Sequence, residues 1–341
     1  MTITEISDTK LWQEFVSKLN LNTFLHSQNW ANFNRNLGDK IWQFGMFDSE
    51  KELQSVCLVI LIDAKRGKFL LVPHGPQIPD NLDKKFILKL WKEHLTKLGN
   101  QENCSFIRIQ PIEKDETAAR EMFKKLNFIH APMHMHTELT SLLDIDKDKK
   151  DILLAMRKTT RQMIKKAEKM LTNAEIELEY PEAITEEMHD VYKATYKRGG
   201  AVAYSEDFLN KEWVAFKHQS KMFVIRYQGE ILSWGMILIS GRRAFYHQGG
   251  NILNKNVPSS YFLQWQGIQF AKDRNCITYD FWGVSPKTEE NHPWANISLF
   301  KRGFGGDDVQ LLHAQDLVLN WKYWLNWAIE KIRAKKRGFK D

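Results

Sequence analysis

The sequence predicts an α+β protein built from two copies of one unit, each carrying a mixed, largely antiparallel sheet. Three observations predict it. A meander of strand-like runs followed by a helix, a strand and a short helix occurs twice. The chain has 341 residues, too many for one small core and about right for two domains. A charged run of low apolar content, Asp144 to Asp151, falls between the copies as a linker. The repeat lies in element order, not in the residues.

The elements follow from periodicity. Asp8 to Leu19 places Leu11, Trp12, Phe15, Val16 and Leu19 on one helical face. A short helix from His26 to Leu37 follows. Ile41 to Phe47 and Leu53 to Ile62 read as strands around an Asp48–Lys51 turn. Phe69 to Val72 is a third strand and runs into Pro73-His74-Gly75-Pro76, where a helix cannot continue. Asp83 to Leu98 is a helix, Ser105 to Gln110 a strand stopped by Pro111, and Thr117 to Leu126 a helix. The second copy opens with a strand, Leu139 to Leu143, and a long helix, Asp151 to Leu171. Ile176 to Tyr180 is a strand; Thr185 to Arg198 and Asp207 to His218 are helices. Met222 to Tyr227, Ile231 to Ser240 and Arg243 to Gly249 form the second meander. Ser259 to Arg274 is a helix and Ile277 to Trp282 a strand. Asp316 is expected to cap a final helix lined on one face by Leu317, Trp321, Trp324, Ala328 and Ile332. A basic tail, Arg333 to Lys340, follows it.

Composition narrows the function classes. The net charge of +7 and pI near 9.0 suit an anionic partner such as phosphate, nucleic acid or an acidic membrane surface. Cys57, Cys104 and Cys276 are far apart, without metal-ligand or redox spacing, and argue for a reducing compartment. The start, Met1-Thr2-Ile3-Thr4-Glu5, lacks the basic and apolar pattern of a signal peptide. No window reaches the ~18 uncharged apolar residues of a membrane span. A cytoplasmic protein is expected, with any membrane contact peripheral at the inner face.

Chemistry points to the stretch Asn296 to Gly306. Ile297, Phe300 and Phe304 recur at helical spacing, so Lys301 leaves a short helix beside an apolar face, and glycines follow. A second cationic feature is the stripe Arg157, Arg161, Lys165 and Lys169, spaced by four along the long helix, a candidate phosphate track or a solvated face. There is no Gly-x-Ser-x-Gly elbow, Walker loop or dinucleotide fingerprint. His134-Met135-His136 has no third ligand in sight, so no metal is expected. What remains is group transfer by positioning, in which an amine attacks an activated ester and the site supplies orientation and a cation for the oxyanion. Lys301 suits that role.

The ordered set Ser27-Gln28-Asn29-Trp30, Gly75-Pro76, Phe106 to Pro111, Arg161 to Lys169, Asp280-Phe281-Trp282-Gly283-Val284 and Leu299 to Phe304 resembles the Fem (FemABX) family of non-ribosomal peptidyltransferases. These aminoacyltransferases build the peptidoglycan interpeptide bridge. The resemblance implies two tandem acetyltransferase-like (GNAT-type) domains: residues 1–143 plus 316–341, with the last helix returning to the first domain, and residues 144–315. It implies no cofactor, neither CoA nor metal. Its partners would be aminoacyl-tRNA and a peptidoglycan precursor, lipid-linked or UDP-linked. Phe300 and Lys301 match the family's aromatic–lysine pair at the tRNA-facing end of the cleft. An acceptor-phosphate lysine of some members is Asn34 here, with Arg35 beside it. An expected aspartate is Gln110, which cannot act as a general base. An expected arginine and tyrosine fall at Tyr204 and Phe208, and a strand tyrosine at Tyr246 or Gln248. The long helical arm of some members has no room here. The expected activity is transfer of an amino acid from aminoacyl-tRNA to the stem-peptide amine. An acyl-CoA-dependent N-acyltransferase and a non-catalytic RNA- or membrane-surface-binding protein are the alternatives.

Overall fold

In the computed structural model of the chain, residues 1–19, 21–65, 67–289 and 292–336 are described. The part of the basic tail beyond Lys336 lies outside them. The first meander forms as predicted: β2 (Ile41–Phe47), β3 (Leu53–Ala64) and β4 (Gly67–Pro73) follow β1 (Thr2–Glu5), α1 (Thr9–Ser17) and α2 (Gln28–Leu37). Side chains set the helix ends. Asp8 accepts from the N–H groups of Lys10 and Leu11 to start α1, and Gly38, at φ 92°, ends α2. Then come α3 (Lys84–Gln101), β5 (Cys104–Gln110), α4 (Thr117–Lys125) and β6 (Ile129–His130).

The second run is β7 (Leu139–Asp144), α5 (Lys149–Ala155), α6 (Lys158–Thr172), β8 (Ile176–Glu179), α7 (Glu186–Arg198) and α8 (Glu206–Phe216). Its meander is β9 (Lys221–Tyr227), β10 (Glu230–Ser240) and β11 (Arg243–Asn251), followed by α9 (Ser259–Asp273), β12 (Thr278–Gly283), α10 (Ala295–Arg302) and β13 (Asp307–Gln310). The chain closes with β14 (Gln315–Val318) and α11 (Tyr323–Lys336).

Two sheets result, in the orders β1-β2-β3-β4-β5-β14-β6 and β8-β9-β10-β11-β12-β7-β13. In each, the meander is antiparallel and the strand after the crossover helix joins it in parallel, β5 on β4 and β12 on β11. Each sheet also takes in one strand far in sequence from its neighbours there. β14 enters between β5 and β6, and β7 enters between β12 and β13. The compact units are accordingly residues 1–138 with 310–341, and residues 139–309. β7, which opens the second copy of the repeat but falls within the 1–143 bounds implied by the resemblance, belongs to the second sheet. The first core packs Trp91, Leu95 and Ile107 with Val59 and Leu70; the second packs Phe262, Ile268 and Tyr279 with Ile237 and Phe304.

Three expectations are corrected. The long helix breaks at Met156, whose extended backbone (φ −70°, ψ 156°) separates α5 from α6. The break lets the Arg157 N–H donate to the Gly303 carbonyl, 3.0 Å away. Asp316 lies in β14 and caps nothing: its buried carboxylate accepts two bonds from Arg108, both at 2.8 Å, and one from the Tyr323 hydroxyl. α11 turns the other face inward. Tyr323, Asn326 and Ala334 are buried, and Trp327 packs on the Phe69–Phe106 cluster, whereas Trp321, Trp324 and Ile332 face solvent. With apolar residues on both faces, periodicity could not choose between them.

Candidate functional site

The site in the second unit is built where β12 meets α10. β12 carries Asp280, fully buried, whose carboxylate is bound by Arg243 (2.7 Å), by the Thr140 hydroxyl and by the Trp282 N–H (2.8 Å). Trp282 has φ 60°, a left-handed conformation unusual for a bulky side chain. The β12–β7 register shifts between Asp280 and Gly283, across the same residue. Immediately after it, the Gly283 carbonyl accepts a hydrogen bond from Lys301 Nζ at 2.7 Å.

α10 delivers that lysine. Ile297 is 43% exposed, so of the expected apolar face only half-buried Phe300 and buried Phe304 pack on the core, and the buried positions of the helix itself are Ser298 and Lys301. Ser298 donates to the Trp294 carbonyl and accepts from the Ser285 N–H, both at 2.7 Å, which fixes the helix to the chain after β12. Arg302 is bound to Asp308 and to the Ser285 carbonyl. The guanidinium is thus consumed in holding α10, and the neighbouring ammonium is left for the interior. Gly305, at φ 88°, and Gly306 let the chain pass close to Ala155 and Leu142; a Cβ at Gly306 would stand 3.0 Å from the Leu142 carbonyl.

Lys301 is only 7% exposed. Burial lowers its pKa to about 8, against the opposing charge of Asp280. An ammonium has three donors, and among the described residues only the Gly283 carbonyl takes one. The Tyr246 ring centroid lies 6.0 Å from Nζ, at the outer reach of a cation–π contact. Phe300 packs edge-on against Tyr261 at 4.9 Å. Tyr246 is seated by glycines. A Cβ at Gly235 would meet its ring at 2.7 Å, and one at Gly249 its hydroxyl at 2.6 Å.

A bulge separates the two tyrosine-position candidates. Met236 pairs with Gln248 and Ile237 with Tyr246, so His247 is the extra residue on β11. Tyr246 turns toward Lys301. Gln248 is buried and enclosed: it accepts from the Tyr192 hydroxyl at 2.9 Å and donates to Glu212 at 3.1 Å, while His247 faces the same carboxylate at 2.6 Å. Sequence reasoning missed Glu212, which looks like an ordinary surface residue of an amphipathic helix and is fully buried.

The other expected residues are placed as follows. Arg157 begins α6 and donates to the Leu299 carbonyl at 3.1 Å, which ties α6 to α10. It therefore leaves the predicted stripe. Arg161 folds back onto the carbonyls of Leu154 and Met156, while Lys165 and Lys169 remain exposed on α6. Two of the four cations in the proposed phosphate track thus close off backbone carbonyls. Tyr204 stacks on Phe208 at 4.1 Å. Arg35 and Gln110 belong to the first unit. Arg35 donates to Asn32 and Gln43. Gln110, 2% exposed, exchanges two 3.1 Å bonds with the backbone of His136, so its amide splints two segments.

In the first unit the fold brings His134 together with Glu138 and His313, ligand-type atoms lying within 4.8 Å of one another. The group is internally matched. His313 Nε2 donates to the Ala131 carbonyl (2.9 Å), so Nδ1, 2.8 Å from Glu138, needs a second proton to donate there. The other Glu138 oxygen accepts from the Ala314 N–H. Burial opposes the imidazolium, but the Glu138 bond and charge outweigh it and raise the His313 pKa. This is the geometry of an ion pair, which accounts for the same atoms a metal would use.

A model of the FemAB family matches residues 8–228 and 231–329. A UDP-N-acetylmuramoylpentapeptide-lysine N(6)-alanyltransferase of Weissella viridescens is 25% identical over 186 residues, 53% of this chain and 54% of that protein. An aminoacyltransferase FemA of Staphylococcus aureus is 29% identical over 80 residues, 23% of this chain and 19% of that protein. The chain thus spans about half the length of the first of these relatives and about a fifth of the second. A crystal structure of FemX superposes with TM-score 0.81 over 97% of this chain and 100% of that one, at 14% identity. A tandem GNAT protein from the clavulanic acid biosynthesis pathway superposes with TM-score 0.58 over 94% and 98%, at 9% identity. These identities speak to fold alone, and the fold is a tandem of acetyltransferase-like units. Since the family match runs from α1 through both copies of the repeat into α11, the chain belongs to the FemAB family.

Proposed function

We propose that the chain is an aminoacyltransferase that moves an amino acid from aminoacyl-tRNA to the stem-peptide amine of a peptidoglycan precursor. The observation that carries this is Lys301: a buried ammonium, bound once, with two N–H donors unused among the described residues. The amine nitrogen attacks the ester carbonyl carbon of the donor. A C–N bond forms and the carbonyl oxygen becomes an oxyanion, which Lys301 stabilises. The oxyanion then collapses, the ester C–O bond breaks, and the ribose hydroxyl leaves with the proton that the amine gives up. No step needs a nucleophilic side chain, in keeping with the positioning chemistry expected from the sequence. Tyr246, with Phe300 held nearby in the sequence on the Tyr261 ring, supplies the apolar surroundings that keep the field of the ammonium strong.

The relative from Weissella viridescens is named for a lysine N(6) acceptor on a UDP-linked pentapeptide, and the same acceptor chemistry is proposed here. A lipid-linked form of that precursor would bring the enzyme from the cytoplasm to the inner membrane face. Among the described residues, no helix is long and apolar enough to cross a membrane. Purified chain incubated with a mixed aminoacyl-tRNA pool and UDP-linked or lipid-linked pentapeptide tests the reading by mass spectrometry. One added amino-acid residue on the stem peptide is expected. Absence of transfer to either acceptor, together with acylation from acetyl-CoA, would replace it with the N-acyltransferase reading.

A further inference from the structure

α11 is packed on one side only. Its inner face carries Tyr323, which bonds Asp316 and packs against the Phe106 ring at 5.2 Å, and Glu330, which accepts from Arg108 at 2.8 Å. Trp327 and Ala334 complete that face. The outer side presents Trp321, Trp324, Leu325, Ile329 and Ile332, exposed by 69, 53, 59, 37 and 57%. Five large apolar side chains along a few turns of one helix make an apolar face rather than scattered surface residues.

The charges around that face have one sign. Lys322 and Arg333 are exposed and Lys331 half-buried, whereas the only acidic residue of α11, Glu330, points inward to Arg108. Residues 321–341 hold seven basic residues and two acidic ones, so most of the chain's net charge of +7 resides here. A second copy of this face would bring like charges together. An anionic bilayer satisfies both properties at once: tryptophans settle at the headgroup level, the aliphatic side chains enter the acyl boundary, and the basic residues meet lipid phosphates.

We propose that the outer face of α11 docks the protein on the surface of an anionic lipid bilayer. The proposal goes beyond the transfer reading and does not rest on it, because vesicle binding is measured without donor or acceptor. It assigns the membrane contact to one helix of the first unit, with Trp321 and Trp324 as the interfacial residues.

The test is co-sedimentation of the full chain with phosphatidylglycerol-containing vesicles and with phosphatidylcholine vesicles. Binding to the anionic vesicles, weakened by salt and accompanied by a blue shift of tryptophan emission, is expected. Trp324→Glu with Leu325→Glu should reduce binding at least tenfold at unchanged melting temperature. Lys322→Glu with Arg333→Glu should reduce it on anionic vesicles as well. Leu253→Glu, an equally exposed apolar position elsewhere (73%), should leave it intact. Equal binding by wild type and by both double variants would overturn the proposal. So would a dimer in light scattering that only Trp324→Glu with Leu325→Glu dissociates, since the face would then be an interface between copies.

Discussion

The two copies of the repeat place the same elements to opposite ends. α4 and α10 occupy the same position, each following the strand that joins its meander in parallel. In the first unit the deeply buried cation is Arg108 on β5, and its charge is matched: two carboxylates, Asp316 and Glu330, accept hydrogen bonds from its Nε and Nη2. The lysines at the end of α4, Lys124 and Lys125, are both exposed. In the second unit the lysine at the end of α10 is buried, and among the described residues one carbonyl accepts a hydrogen bond from it. A buried cation clamped between two carboxylates is suited to holding structure, whereas one bonded to a lone carbonyl has capacity left for a substrate. On the proposed function the difference is a division of labour, with a carboxylate-clamped core in the first copy and the cation for catalysis in the second.

Arg108→Met should have the largest effect on stability. It leaves Asp316 buried without its partner and should cost about 3–5 kcal/mol, read as a lower midpoint in urea. A loss below about 1 kcal/mol would show that the first unit is not locked by this pair. Gly235→Ala comes next. Its Cβ would crowd the Tyr246 ring and Leu263, at 2.7 and 2.9 Å, with a loss of about 1–3 kcal/mol and reduced transfer. Unchanged melting and turnover would show that Tyr246 need not sit where it does.

The pH profile sharpens the second unit. Lys301 titrates near 8. If its cation stabilises the oxyanion, kcat/KM stops rising near that value and stays level while the acceptor lysine amine, ordinarily at about 10.4, continues to lose its proton, and it falls only above that. A profile that keeps rising past pH 8 would make Lys301 a base instead. The smallest effect belongs to His313. Its pKa is raised in the folded state, so the ion pair with Glu138 stabilises fully below the unfolded value of about 6.5 and is lost as pH rises through the folded value. The melting difference between wild type and His313→Gln should therefore shrink from pH 6 to pH 9. A difference that grows with pH would contradict the pairing.

Much of the fold was legible because both meanders and their crossover helices announce themselves by hydrophobic period. The places of β7 and β14 within their sheets were not, since pairing between strands far apart in sequence leaves no local mark. Neither was the break at Met156, which lacks glycine or proline, nor the left-handed Trp282 that turns a carbonyl toward Lys301. The His134–Glu138–His313 group was out of reach for the same reason: Glu138 and His313 lie 175 residues apart. Lys301 could be singled out because a lysine beside aromatics on a short helix is visible in one window. Which of Tyr246 and Gln248 stands beside it depended on a bulge that only the sheet register reveals.

The most direct test is the single-turnover transfer rate of Lys301→Met beside wild type, with melting temperature measured on the same samples. Loss of at least about a hundredfold in rate, with melting unchanged or slightly raised because a buried charge is removed, is the predicted result. A rate within a few-fold of wild type at unchanged melting would contradict the assignment of Lys301 as the catalytic cation.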